Sequence, residues 1–156
     1  MTENLDLRDQ KILYELDNNS RVPASQIAKK VRLSKVSVNQ RIKKLQNRGV
    51  IKNFVTQVNY RLLGYNTSRV YYKLQNISAE KEEEFFNFLC SLPVIGYVAR
   101  VDCSYDAFSV AMYKSIEDLD SVLHKIKEKY GNFIKERNIL PVLNILYFSR
   151  RYLSKI

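Results

Sequence analysis

Apolar positions recur at helical spacing through the first third of the chain and then switch between helical and strand periods in the second half. Asp6-Leu7-Arg8-Asp9 has the form of a helix start, with Asp6 as N-cap and Asp9 in the first turn. Ile12, Leu13 and Leu16 follow on one face, and Asn18-Asn19-Ser20 ends the helix. Pro23 stands at the entrance of a second helix, Ala24–Val31, with Ile27, Ala28 and Val31 inward. Arg32-Leu33 turns the chain, Ser34 caps a third helix, and Gly49 stops it. Residues 24–43 therefore carry a helix-turn-helix pattern. On the third helix, Val38, Ile42 and Leu45 fall within about 60° of one another at about 100° per residue. Val36, Gln40, Lys43 and Asn47 lie opposite, flanked by Ser37, Asn39 and Lys44. Beyond Gly49, the spacing of Ile51, Phe54, Val55 and Val58 predicts one or two short strands, a wing over residues 50–60. Arg61-Leu62-Leu63-Gly64-Tyr65 reads as a linker.

The second half predicts a strand over 67–74, rich in β-branched and aromatic residues, and a helix over 79–92 with Phe85, Leu89 and Leu92 on one face. Glu80, Glu82, Glu83 and Glu84 crowd that helix's N-terminus, where the macrodipole favours them. A strand over 97–101, a turn over 103–106 and a strand over 107–113 come next. Ser115 and Asp118 form a capping box for a helix to 130, with Ile116, Leu119, Leu123, Ile126 and Tyr130 as its stripe and Gly131 as its stop. A final strand is expected over 138–148, with Pro141 marking it as an edge. The order β-α-β-β-α-β is the ferredoxin-like arrangement. The fold class is thus α+β: a winged helix-turn-helix over residues 1–60, a linker over 61–66 and a ferredoxin-like domain over 67–156. With both helices on one face of the sheet, the aromatic other side near Val70-Tyr71-Tyr72 calls for a second copy to cover it.

Charge adds the partner. Residues 18–79 hold thirteen Lys and Arg and no Asp or Glu. Residues 1–60 carry a net +7 and residues 61–156 a net +3. A cationic stretch containing a groove-sized helix fits double-stranded DNA. On the third helix, Val36 can meet a thymine methyl, and Ser37, Asn39 and Gln40 can hydrogen-bond base edges. Lys30, Arg32, Lys35, Lys43, Lys44 and Arg48 are the expected phosphate contacts. Cys90 and Cys103 are too few and too irregular for a disulfide framework or a zinc site, and are expected as free buried thiols. Residues 1–4 lead straight into a charged helix, and no apolar run approaches the roughly 18 residues of a membrane span. A cytoplasmic protein with no signal peptide, no metal and no cofactor is expected.

In order and spacing, Leu5-Asp6-x-x-Asp9-x-x-Ile12-Leu13, Ile27-Ala28-Lys29-Lys30-Val31-x-Leu33-Ser34 and Val38-x-x-Arg41-Ile42-Lys43-Lys44-Leu45-x-x-x-Gly49-Val50-Ile51, followed by β-α-β-β-α-β, resemble the Lrp/AsnC family of transcription regulators. The resemblance covers nearly the whole chain. It implies that the third helix enters the major groove, that the ferredoxin-like domains pair into dimers able to assemble to tetramers or octamers, and that an amino acid or other small-molecule effector modulates assembly or DNA affinity. Two positions depart from the family. Arg32 stands in a turn that often holds Gly, and the effector loop reads Cys103-Ser104-Tyr105-Asp106, without the usual leading Gly. Two readings of that loop stay open: an effector site, or a structural hairpin in which Asp106 satisfies its own turn. Two other functions are compatible with this architecture. One is a DNA-compacting protein without effector control. The other is an enzyme similar to the siroheme decarboxylases, which would need histidines and arginines around a tetrapyrrole. The single histidine, His124, lies off the apolar stripe of its helix, and no nucleophile–base or paired-carboxylate constellation is recognisable.

Overall fold

In the computed structural model, which describes residues 5–145, polar side chains fix where most helices begin. A helix start leaves several backbone N–H groups without partners, and a capping oxygen takes one of them. Asp6 Oδ1 does so for Asp9 in α1 (Leu7–Asn18), and Ser34 Oγ for Ser37 in α3 (Lys35–Asn47). Ser78 caps α4 (Ala79–Ser91), and the Ser115–Asp118 capping box opens α5 (Ile116–Tyr130). Pro23, which precedes α2 (Ala24–Val31), offers no side-chain cap but has the fixed extended geometry that leads into a helix.

The described residues fall into two compact units, divided between Val58 and Asn59. In the first, Ile12, Leu16, Ile27, Ala28, Val31 and Val38 close a three-helix core. The wing strands expected over 50–60 do not form among the described residues. An extended segment needs a partner ladder for its N–H and C=O groups. Among the described residues, the Val50 and Ile51 N–H groups donate back to Leu45 O and Ser20 Oγ donates to Val55 O, contacts that anchor the segment without making a ladder. Phe54, Val55 and Val58 stay exposed.

The second unit is a four-stranded antiparallel sheet of order β2-β3-β1-β4, from β1 (Asn66–Leu74), β2 (Ile95–Arg100), β3 (Ala107–Tyr113) and β4 (Ile134–Pro141). Phe85 and Leu89 of α4, with Leu119, Val122, Leu123, Ile126 and Tyr130 of α5, pack on Val70, Tyr72, Ala107 and Ala111. Two hydroxyl pairs sit inside this core: Ser68 Oγ with Tyr113 Oη at 2.8 Å, and Tyr72 Oη with Ser109 Oγ at 3.1 Å. A one-residue slip between β1 and β3 would strand all four groups, so the pairs specify register as well as filling space. Burial pushes the Tyr72 hydroxyl up to about 12, so it stays neutral and can donate.

Several expectations need correction. The residues read as a linker hold a 3₁₀ turn, Tyr60–Leu63, ended by Gly64 at φ +81°, and Arg61 donates to Val142 O at 2.9 Å. Ile116 is 65% exposed, and Val122 takes the buried place on α5. Helix α5 does end at Tyr130 with Gly131 as its C-cap, and the chain then makes a second 3₁₀ turn, Gly131–Phe133, that was not expected. The last strand begins at Ile134 rather than 138 and ends at Pro141, on the sheet edge as expected; residues 146–148 of the expected strand lie outside the described residues. Cys90 and Cys103 are free but exposed: Cys90 follows the buried Leu89 and so points off the core face, and Cys103 lies in the β2–β3 loop.

Candidate nucleic-acid interface

Helix α3 turns Val38 and Leu45 into the core and Val36, Asn39, Gln40, Lys43 and Lys44 to solvent, with Lys35 exposed in its first turn. Val36 is 65% exposed, which water disfavours and a thymine methyl would relieve. Ser37 is half-buried; its oxygen accepts from Ser34 Oγ at 3.0 Å, leaving its own proton to donate. Arg48 is half-buried just beyond the helix end. Lys30 is not an open cation: its Nζ lies 2.6 Å from Glu15 Oε2.

Sequence reasoning missed Arg41. Its Nη1 donates to Asp6 Oδ2 at 2.6 Å and Asp9 Oδ1 at 2.7 Å, tying the middle of α3 to the start of α1. The N–H of Asp9 and then Arg41 hold the Asp6 carboxyl below its usual range, and the two carboxylates push Arg41 up. Asp6 thus serves two helices, as the cap of α1 and as an anchor for α3. The signal was in the sequence, as an Arg beside the inward stripe of an acid-free helix, but its partners lie 35 and 32 residues away.

Arg32, at the turn, adopts φ +53° and ψ +53°. A left-handed conformation costs an L-residue about 1–2 kcal/mol. Glycine would escape that cost but would lose more entropy on folding, by roughly 0.5–1 kcal/mol. Arg32→Gly is therefore expected to raise the melting temperature slightly while weakening binding to every duplex alike. A lower melting temperature would contradict the strain.

In the second unit, the loop Cys103-Ser104-Tyr105-Asp106 is engaged with the sheet. Asp106 Oδ1 accepts from Lys73 Nζ at 2.9 Å and Oδ2 from the Leu74 N–H at 2.7 Å, so it serves β1 rather than its own turn. Burial pushes that carboxyl up, but Lys73 and the Leu74 amide outweigh it and hold it low. Tyr105 Oη donates to Glu136 Oε1 at 2.7 Å and accepts from Asn138 Nδ2 at 3.3 Å. The helix-free face carries a run of rings, Tyr97–Phe108–Tyr71–Tyr105, with centroids 5.6, 5.5 and 5.4 Å apart. His124 is exposed and pairs with Glu128. Among the described residues there is no cluster of metal-ligating side chains and no helix long and apolar enough to cross a membrane.

Residues 5–52 match the winged helix-turn-helix DNA-binding family. The HTH-type transcriptional regulator FL11 of Pyrococcus furiosus is 33% identical over 78% of this chain and 80% of its own length. Ptr1 of Methanocaldococcus jannaschii, also an HTH-type transcriptional regulator, is 30% identical over 90% and 86%. Escherichia coli AsnC superposes with a TM-score of 0.77 over 94% of this chain and 97% of that one, at 24% identity, sharing its fold. The chain belongs to the Lrp/AsnC family. It is a transcriptional regulator of that type, with a helix-turn-helix for DNA. In Lrp/AsnC terms, α2 braces, α3 carries the exposed polar face, and the second unit is the βαββαβ domain. A Neisseria meningitidis regulator, solved as a complex with L-Met, shares the fold at a TM-score of 0.80 and 16% identity.

Proposed function

We propose that this regulator binds specific duplex sites as a homodimer, with α3 of each copy in the major groove. The observation that carries this reading is the outward face of α3: an exposed Val, amides and lysines on a helix locked by Arg41 to two carboxylates. Val36, Ser37, Asn39 and Gln40 read bases, and Lys35, Lys43, Lys44 and Arg48 hold phosphates with Arg32 and Lys30. Exposed ion pairs contribute little, so Lys30 can exchange Glu15 for phosphate. The aromatic sheet face is where two copies meet, and the pair supplies one helix-turn-helix for each half-site. The engaged Asp106 and Tyr105 support a structural latch at the loop. An amino-acid effector, as the Neisseria complex suggests, would have to displace one of them.

Site selection from random duplexes followed by anisotropy tests the reading. Gln40→Ala is expected to cost about 1–3 kcal/mol on the selected site and to relax one base position. Lys43→Ala is expected to weaken selected and random duplexes alike and to reduce the slope of log K on log salt by about 1. A wild-type preference near one between selected and random DNA would favour a DNA-compacting role instead.

A further inference from the structure

The basic surface of the helix-turn-helix unit extends beyond α3, through Arg32 and Lys30, onto α1. A shallow groove between α1 and the end of α2 is lined by Leu7, Arg8, Lys11, Lys30, Val31 and Arg32. Arg8 and Lys11 stand one turn apart on the exposed side of α1, and Lys30 and Arg32 close α2. Four exposed cations thus converge from two helices. The acid set against them is Glu15, four residues beyond Lys11 on the same stripe of α1, with Oε2 2.6 Å from Lys30 Nζ. The pair is lopsided. Lys30 is 59% exposed, whereas Glu15 is 17% exposed.

We propose that this groove is a second phosphate-binding site, gripping the DNA strand that borders the groove α3 enters, and that Glu15 stands in it as an internal competitor for the phosphate. The proposal rests on the reading of α3 above. Arg32 belongs to both surfaces, because the chain passes from it through Leu33 and Ser34 directly into the reading helix. A strand seated against the start of α3 would therefore run past Arg32 into the row of Lys30, Arg8 and Lys11. Four cations spread over two helices exceed what one small anion would neutralise and suit the repeating charge of a phosphodiester chain. Arg8 and Lys11 escape notice in the sequence because they share α1 with Asp6, Asp9, Glu15 and Asp17.

The test is anisotropy on a selected and a random duplex of equal length, over a series of salt concentrations. Arg8→Gln combined with Lys11→Gln is expected to weaken both duplexes about tenfold or more, to lower the salt slope by about 1–2 per subunit, and to leave the preference between them unchanged. Glu15→Gln is expected to strengthen both about two- to fivefold by releasing Lys30, a gain that misfolding cannot mimic. A wild-type slope in the double variant, or weaker binding in Glu15→Gln, overturns the site. Failure of the α3 reading looks different: Gln40→Ala and Lys43→Ala would then bind as wild type whatever the α1 variants do.

Discussion

Phe108→Glu is expected to convert the proposed dimer into a monomer. Phe108 lies at the middle of the ring run on the helix-free face, between Tyr97 and Tyr71, and is half-buried within one copy. Pairing two such faces would bury it further, and a carboxylate there would have to give up its water among aromatic rings. Central aromatic positions in interfaces are worth about 2–4 kcal/mol, a rise of roughly 30- to 1000-fold in the dimer dissociation constant. Sedimentation equilibrium reads this directly. DNA binding should fall with it, and the salt slope should halve, because a monomer engages one half-site and neutralises half the phosphates. Phe108→Leu should remain dimeric. A Phe108→Glu protein with the wild-type mass in solution would place the pairing surface elsewhere.

Arg41→Ala is expected to destabilise the helix-turn-helix unit by about 1–3 kcal/mol. Breaking a fully buried pair costs about 3–5 kcal/mol. Arg41 and Asp9 are 29% and 13% exposed and Asp6 is 51% exposed, so water softens the loss. For a unit of this size each kcal/mol is worth about 4–8 °C in melting temperature. Asp6 adds a pH signature. Its carboxyl is held below the ordinary value of 3.8, so its contribution is complete above that value and is lost as pH falls through the lowered one. Wild type should therefore lose stability on acidification through this window, and Arg41→Ala should lose less. Operator binding should weaken too, since α3 would no longer be held against α1. Equal melting temperatures and equal acid sensitivity in the two proteins would show that the clamp holds nothing.

Helix starts were legible because capping is local chemistry: Asp6 with Asp9, Ser34 ahead of its helix, and Ser115 with Asp118 lie within one turn. Strand ends were not, because a ladder is decided by a partner far along the chain. The register of β4 begins with Ile134 opposite Leu74 across the sheet, and residues 50–59 find no described partner strand. The stripe of α5 was read in phase from Leu119 on; only Ile116, in the exposed first turn, was wrongly included and Val122 missed. At the interface, the outward face of α3 followed from the 3.6-residue period alone. Arg41 and Glu15 did not, since what they do depends on helix α1 meeting α3 and α2 in space.

The ring of Tyr105 rests 5.4 Å from Tyr71, and Tyr71 is itself part of the face on which Phe108 lies. The hairpin loop and that face are consequently one mechanical object. Anything that draws Tyr105 away uncovers Tyr71 and removes a partner from Glu136 and Asn138 on the neighbouring strand. If copies pair through that face as proposed, a ligand that displaced Tyr105 would also bias their pairing, and pairing would bias the ligand's binding by the same free energy.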